Sequence, residues 1–293
     1  MNLIKAAFAI GAILVTASSA LAYDKTIPES DAEWDAAISE LDWKFDEALY
    51  QLADSKISLG LPDGQMLVLG DDAMRFEYLM SSVEATNTTA SLVDMTNETR
   101  AVFQYFGSGY VTLDDWSDVD STELLQAITR NTKEANKTRL KNGYPEMAVT
   151  GWLIEPYLDR GNDAVKWALV GVEGGNEFVN IVTLKLGRNG FEKITWVGSP
   201  SQYSNQKDFI AKLPALSTFN PEFQYADYRI GDEMAAFGIA GLVAATAGAN
   251  SKAVKAGGAV VLATALALLK KFIFIPFIAA LAFFRHLFKR KNQ

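Results

Sequence analysis

The side chains of this sequence best suited to acid–base or metal chemistry lie in one acidic segment. It contains Asp114, Asp115 and Asp118, followed by Asp120. Closely spaced carboxylates can act as general acid and base, and they are also ligands for Ca²⁺ or Mg²⁺. The spacing lacks the glycine and the terminal glutamate of an EF-hand loop, and Asp120 with Glu123 is typical of a helix N-terminus. We therefore predict helix capping and solvation here, with no bound metal or cofactor.

A second set of candidate binding residues lies between Asn136 and Arg188. Asn136 and Arg139 are three residues apart and share one face of a predicted helix. They suit either a ligand anion or a main-chain loop, and the loop is the commoner case. The other candidates are one cation and two aromatic residues beside predicted turns and strands: Tyr144, Trp152 and Arg188. The aromatic residues suit a pocket or ordinary packing on a sheet face.

Composition excludes several enzyme classes. The sequence has no cysteine, and its single histidine is His286, in a basic stretch near the C-terminus. Disulfides, thiol nucleophiles, Ser-His-Asp triads and zinc sites built from His or Cys are therefore excluded for the main body of the chain.

The first half of the body is predicted to mix helices and short strands. A capping box at Ser30 and Glu33 begins a helix whose apolar residues continue at helical spacing to Leu52. The turn at Pro62-Asp63-Gly64 predicts a hairpin between strands 56–60 and 65–69. Further predictions are helices at 72–83 and 122–141, strands at 91–95 and 100–106, and a loop at 84–90.

From Glu146 onward the apolar period changes to two. Strands are predicted at 147–154, 164–172, 179–186 and 191–197, joined by hairpin-length turns, and this pattern indicates an antiparallel meander. A polar segment at 199–216 is predicted to be helical or irregular. The fold class is therefore α+β, an exported domain with an antiparallel β-meander and packed helices, followed by a C-terminal transmembrane helical anchor. We expect the body, 23–230, to be one domain or two small lobes with a break near 107–121.

Both ends of the chain are predicted to be targeting segments. Residues 1–22 have a short apolar stretch and a small-residue cleavage site, which is typical of a secretory signal peptide; an uncleaved anchor is the alternative. Residues 251–288 are strongly apolar but contain Lys270 and Lys271, so either one tilted helix with snorkelling lysines or a shorter crossing is expected. A buried core hairpin is the alternative to a membrane span.

The positively charged end sets the predicted topology. Residues 289–293 are a basic tail, which the positive-inside bias places in the cytoplasm. The expected topology is therefore an exported main domain, one net membrane crossing and a tail on the inside. Just before the anchor, a Gly/Ala-rich helix is predicted at 231–250. Its residues Gly238, Gly241 and Gly248 suit close packing against the anchor or a second copy of the chain.

Charge is distributed unevenly along the chain. Nine of the 27 basic residues lie in 1–22 or 251–293, so residues 23–250 combine 18 basic residues with all 35 acidic residues, a net charge of −17. Such a surface repels nucleic acid and anionic headgroups. We expect no nucleic-acid partner; the expected partners are the lipid bilayer, through the anchor, and an envelope protein or another copy of the chain.

Several short motifs resemble those of one protein family. They include Gly109-Tyr110-Val111, Asn136-Lys137-Thr138-Arg139, Gly143-Tyr144-Pro145, Leu186-Gly187-Arg188-Asn189-Gly190 and Tyr225-Ala226-Asp227-Tyr228. The sequence from about Ser30 to Arg290 resembles an uncharacterised bacterial family of predicted membrane-anchored proteins, a domain-of-unknown-function family. It departs from the family pattern at 155–159 and at 162–163. The resemblance implies a Gram-negative envelope protein. Together with the predicted topology, this places the expected location at the bacterial inner membrane, with the main domain in the periplasm. The resemblance supplies no activity, cofactor or functional residues.

Two functional hypotheses follow. The first is a membrane-anchored periplasmic protein that acts as a non-catalytic binding or interaction module. The second is a carboxylate-dependent hydrolase of an envelope polymer, with Asp114, Asp115 or Asp118 as acid and base.

Overall fold

A computed structural model describes residues 23–52, 55–81, 86–141 and 143–249. The predicted signal peptide, anchor and basic tail lie outside these ranges. The described part is α+β with antiparallel sheets, as predicted. No helix within it is long and apolar enough to cross a membrane.

The elements alternate between short strands and helices before a long meander. The strands are β1 (Leu49–Leu52), β2 (Ile57–Gly60), β3 (Met66–Leu69), β4 (Thr88–Asp94), β5 (Thr99–Phe106), β6 (Met147–Asp159), β7 (Ala164–Glu173), β8 (Asn176–Gly187), β9 (Gly190–Gly198) and β10 (Ser217–Phe219). The α-helices are α1 (Asp31–Ser39), α2 (Gly70–Ser81), α3 (Ser121–Lys141), α4 (Pro200–Leu216) and α5 (Ile239–Thr246). Short 3₁₀ turns lie at Trp116–Asp118 and Tyr225–Asp227.

The strands form two antiparallel sheets. A seven-stranded sheet has the order β3-β4-β5-β9-β8-β7-β6, and a three-stranded sheet has the order β1-β2-β10. The predicted meander is confirmed as β6 to β9, with Gly187 opposite Gly190 at the last turn. In the large sheet β5 pairs with β9, so strands on either side of the segment 107–121 are hydrogen-bonded neighbours.

The first helix is shorter than predicted. The capping box of Ser30 and Glu33 is present, but α1 ends at Ser39, and the last part of the expected helix forms β1 instead. Phe45 and Leu49, whose helical spacing predicts a place on the buried face of a longer helix, are 63% and 67% exposed. In β1, backbone hydrogen bonds to β2 take the place of those that a longer helix would make. This tertiary pairing overrides the helical spacing of the apolar residues.

The hairpin predicted around Pro62-Asp63-Gly64 is wrong, although the turn exists, with Gly64 at a φ of +73°. Strand β2 pairs with β1 and β10, while β3 pairs with β4 in the other sheet. Leu59 and Leu67 are both fully buried in one core. The turn therefore connects the small sheet, which contains β2, to the large sheet, which contains β3. Both strands contribute apolar side chains to the core between the two sheets.

Apolar cores lie on both faces of the large sheet. On one face, α4 and the small sheet cover a core that includes Phe103, Trp196 and Leu213. On the other face, α2 covers one end of the sheet, and α3 and α5 cover a core that includes Trp167 and Leu242 at the other end. Helix α5 is shorter than the predicted helix; residues 232–238 are not helical, and Tyr110 forms a bridge with Met234 there.

Candidate functional site

In the structure, two carboxylates of the acidic segment, Asp115 and Asp120, accept hydrogen bonds at the N-termini of α5 and α3. The Asp115 carboxylate accepts a hydrogen bond from the backbone N–H of Ala240, 3.3 Å away, at the start of α5. Asp120 accepts from the N–H groups of Thr122 and Glu123 at 2.8 and 2.9 Å and so caps α3. These bonds satisfy N–H groups that a helix leaves without an internal partner, and they place negative charge at a positive helix end.

The neighbouring carboxylates of this segment face solvent. Asp114 and Asp118 are exposed. Among the described residues, no group of three or more His, Cys, Asp or Glu side chains is placed to hold a metal ion.

Asn136 and Arg139 hold the chain as it turns from α3 into β6. The Asn136 amide donates to the carbonyl of Met147 at 2.8 Å and accepts from its N–H at 2.9 Å. Arg139 donates to the carbonyl of Pro145, pairs with buried Glu173 and lies 5.7 Å from the ring centre of Tyr144. The sequence left two roles open for this pair, binding a ligand anion or holding a main-chain loop. The contacts in the structure are those of the second role.

Trp152 and Arg188 also make contacts within the fold. The indole N–H of Trp152 donates to the carbonyl of Ser121 at 3.0 Å, which joins β6 to the start of α3. Arg188 forms two hydrogen bonds of 2.7 Å with the Asp232 carboxylate. The Arg188 hydrogen bonds lower the pKa of Asp232 to about 2.

The glycines predicted for close helix packing lie in and around α5. Gly238 is the N-cap of this helix, and a Cβ placed there would lie 2.4 Å from the Asp115 carboxylate oxygens. Gly248 ends the helix with a φ of +84°, and the N–H of Ala249 reaches the carbonyl of Ala244 as in a Schellman motif. Gly241 is buried within α5.

The predicted site residues do not gather in one cleft. Asp120 precedes the first residue of α3, and Asn136 lies in its fourth or fifth turn. At about 1.5 Å per residue, roughly 24 Å of helix separates them. The acidic segment and the Asn136 and Arg139 pair are therefore at opposite ends of one helix.

A cleft that the sequence did not predict lies between the N-terminal part of the described chain and α2. It has a volume of about 450 Å³ and is open to solvent. Five carboxylates line it: Asp24, Glu33, Glu40, Asp71 and Asp72. We call it the acidic cleft. Apolar surface from Tyr23, Pro28, Ala36, Ala37 and Leu41 contributes the rest of its lining, together with one cation, Arg75.

Arg75 is the buried cation of the acidic cleft, at 8% exposure. Its Nη2 atom lies 3.2 Å from Oδ2 of Asp24, whereas its Nη1 atom has no hydrogen-bond partner within the described ranges. Hydrogen bonds from Thr26, then the charge of Arg75, lower the pKa of Asp24. The acidic cleft therefore combines several carboxylates with one buried guanidinium that has an unpaired nitrogen.

The lining carboxylates are not equivalent. Glu33 completes the capping box of α1, and Asp72 accepts a hydrogen bond from the N–H of Asp42 at 3.0 Å. Glu40 and Asp71 are exposed at the end of α1 and in the first turn of α2. Residues of the acidic cleft come from separate stretches of chain: Glu33, Asp71 and Asp72 lie in first helical turns, Glu40 follows the end of α1, and Asp24 precedes it, so no local motif marks the site.

Comparisons with known proteins identify a family. A family model described as protein of unknown function (DUF2167) matches residues 44–281. This match confirms the resemblance to a domain-of-unknown-function family and does not bear on membrane anchoring. A search of the curated proteins finds no match. Among solved structures, the chain is similar to the solution structure of cyanobacterial PsbP (CyanoP) from Synechocystis sp. PCC 6803, with 12% identity and a TM-score of 0.39, over 59% of this chain and 91% of that chain.

Proposed function

We propose that this chain, which belongs to the DUF2167 family, is a non-catalytic binding module of the bacterial envelope. The acidic cleft is its binding site, and a basic segment of a protein partner is its ligand. The observation that carries this proposal is a solvent-open cleft lined by five carboxylates and by one buried arginine that has an unpaired N–H.

The charge of the acidic cleft selects a cationic ligand. Five carboxylates against one guanidinium attract lysine or arginine side chains, and the open cleft lets these side chains keep part of their hydration. The net negative charge of the whole body acts in the same direction at longer range. It speeds the encounter with a basic partner, and salt weakens this effect.

The buried arginine adds selectivity for a peptide over a simple cation. A lone amine or metal ion would leave the Nη1 atom of Arg75 without an acceptor, at the cost of an unmade hydrogen bond. A peptide brings backbone carbonyls as well as cationic side chains. An extended basic segment can therefore satisfy both the carboxylates and Arg75.

We place this module at the inner membrane, with its main domain in the periplasm. The sequence supports this placement through the signal-like residues 1–22, the apolar residues 251–288 and the basic tail 289–293. A partner that carries a basic segment would then be another envelope protein or a second copy of the chain.

The hydrolase hypothesis receives less support from the geometry. Its proposed acid and base include Asp115, whose carboxylate instead accepts the Ala240 N–H and lies against Gly238. A carboxylate that caps a helix is held by that hydrogen bond and is not positioned to exchange a proton with a substrate.

Neutralising the cleft tests the proposal. In the full chain we replace the two exposed carboxylates, Glu40→Gln with Asp71→Asn, and measure binding of a fluorescent lysine-rich nonapeptide by anisotropy at low salt. We expect the Kd to rise about tenfold, which corresponds to the loss of two favourable charge pairs at roughly 0.7 kcal/mol each. Peptides in which glutamate replaces lysine should not bind the unmodified chain.

A matched double variant controls for net charge. Asp63→Asn with Glu177→Gln removes two exposed carboxylates that do not line the acidic cleft. Equal weakening in both double variants would show that only overall charge matters and would contradict the proposed site. An unchanged Kd in the cleft variant would also reject it.

A further inference from the structure

One face of the large sheet carries a strip of buried polar side chains. The strip crosses β5, β9 and β8, between the strands that α2 covers and those that α3 covers. Its members are 4 to 6% exposed: Arg100, Gln104, Asn180, Lys193 and Thr195. We call this set the polar strip. Alternation along a strand would normally place apolar residues at such inward positions, so the strip needs a separate explanation.

Strand register places three members of the polar strip around one residue, Val197. Arg100 on β5 lies opposite Val197 on β9, and Val197 lies opposite Asn180 on β8. Thr195 is two residues from Val197 and so projects from the same face. Directly opposite side chains in a sheet are about 5 Å apart and diagonal ones about 7 to 8 Å. Arg100, Asn180 and Thr195 therefore lie around the Val197 position of the sheet face, with Arg100 and Asn180 about 10 Å apart across two strands and Thr195 diagonal to both.

These three residues have polar atoms that the described part of the fold leaves without hydrogen-bond partners. The atoms are Nη2 of Arg100, Oδ1 of Asn180 and Oγ1 of Thr195. The Nε atom of Arg100 is used, since it lies 3.2 Å from both carboxylate oxygens of Glu77 on α2, and Ser91 donates to the same carboxylate. The guanidinium is thus fixed in place while one of its nitrogens is still unpaired.

The chemistry of the unpaired atoms indicates one class of ligand. The arginine nitrogen and the threonine hydroxyl can donate to ligand oxygens, and the asparagine oxygen can accept. An oxyanion that keeps one proton, such as hydrogen phosphate or a phosphate monoester, has both acceptor oxygens and an O–H donor. A hydrogen bond from the Arg100 guanidinium to such an anion is charge-assisted, while the Glu77 carboxylate already balances the Arg100 charge.

We propose that the polar strip binds a phosphate-class oxyanion, held by Arg100, Thr195 and Asn180. This site lies on the sheet face, whereas the acidic cleft lies between α2 and the N-terminal part of the described chain. The proposal therefore does not depend on the proposed function. It also accounts for polar residues at inward positions where Val102 and Val182, their neighbours on the same strands, are apolar.

Thermal unfolding of the full chain tests this site. We compare inorganic phosphate, glycerol phosphate, sulfate and chloride at matched ionic strength and pH 7, after long incubation because the atoms are buried. We expect saturating phosphate to raise the Tm by about 4 °C relative to chloride. Sulfate has no proton to donate to Asn180 at this pH and should have a smaller effect. A larger response to glycerol phosphate than to phosphate would identify a monoester as the ligand.

Two threonine variants on opposite faces of the sheet complete the test. Thr195→Val keeps the shape of the side chain and should abolish the response to phosphate. Thr183→Val, at a buried threonine of the same sheet on its other face, should leave the response unchanged. The proposal is overturned if phosphate does not stabilise the unmodified chain, or if it stabilises both variants equally.

Discussion

Glu192 is a carboxyl group with no exposed surface. It lies opposite Lys185 in the register of β8 and β9, and it accepts a hydrogen bond from the hydroxyl of Ser217. Lys185 in turn donates to the carbonyls of Pro214 and Ser217, at the C-terminus of α4. Burial raises the pKa of Glu192 to about 7, and the charge of Lys185 and the Ser217 hydrogen bond oppose that rise only in part.

This raised pKa makes stability depend on pH. The pKa of Glu192 is higher in the folded chain than its ordinary value of 4.5, so its protonated form favours folding. Its contribution is complete below pH 4.5 and is lost as the pH rises towards 7. A shift of this size corresponds to a loss on the order of 3 kcal/mol in the free energy of unfolding across that window.

We predict that Glu192→Gln flattens the pH dependence of unfolding. The amide cannot ionise, so the variant should gain stability relative to the unmodified chain as the pH rises from 4.5 to 7.5. Urea unfolding at four pH values measures this difference, with the exposed Glu177→Gln as the control. Parallel stability curves for Glu192→Gln and the unmodified chain would contradict the prediction.

At the scale of elements, helix α5 depends on a side chain far from it in sequence. Asp115 caps its first turn, and the absence of a Cβ at Gly238 lets that carboxylate approach. Removal of a helix N-cap costs about 1 kcal/mol. Asp115→Ala should destabilise the chain by about that amount, while Asp118→Ala, at an exposed residue three positions along, should change stability by less than about 0.5 kcal/mol.

The same contact predicts coupling between two substitutions. Gly238→Ala should be destabilising because its new methyl group would collide with the Asp115 carboxylate. In the Asp115→Ala background the collision disappears, so the double variant should be more stable than the sum of the two single effects predicts. Denaturant unfolding of the four chains measures the coupling, and strict additivity would contradict the contact.

Elements with long, regular patterns were predictable from sequence. The period-two apolar pattern predicted the meander, and the caps at Asp120 and Gly143 predicted α3 closely. The end of α1 was not predictable, because Phe45 and Leu49 have helical spacing but are exposed in the fold. The hairpin failed for a related reason: local turn chemistry identifies a turn but not the sheet that each strand joins.

The candidate sites were less predictable than the fold. Sequence indicated that Asn136 and Arg139 suit a main-chain loop, and the structure shows contacts of that kind. The acidic cleft and the polar strip were missed because tertiary structure assembles them from separate segments. Alternation on β5 and β9 did contain one signal for the polar strip, since the charged residues Arg100 and Lys193 occupy inward positions on these strands.

At the scale of the whole molecule, the proposed location rests on the last part of the chain. We predict that the full chain is recovered with the membrane fraction and needs detergent for release. A chain truncated after Ala249 should be recovered in the soluble fraction, because it lacks the apolar residues 251–288. Fractionation with immunoblotting measures both.

A shorter deletion separates anchoring from the charge of the tail. Removal of 289–293 alone leaves the apolar segment intact, and we expect this variant to stay with the membrane. Release of the untruncated chain by a salt wash, or membrane retention of the chain truncated after Ala249, would count against an anchor at 251–288.

The central pairing of β5 with β9 also has a consequence for the order of assembly. All of α3 and three strands of the meander lie between these two strands in the chain. During synthesis from the N-terminus, β3, β4 and β5 are available first, and β5 has no neighbour on one side until β9 has emerged. Such an unpaired edge is a template for wrong partners. Until β9 has been synthesised, the nascent chain is exposed to aggregation through this edge. The length of that period increases with the number of residues between β5 and β9.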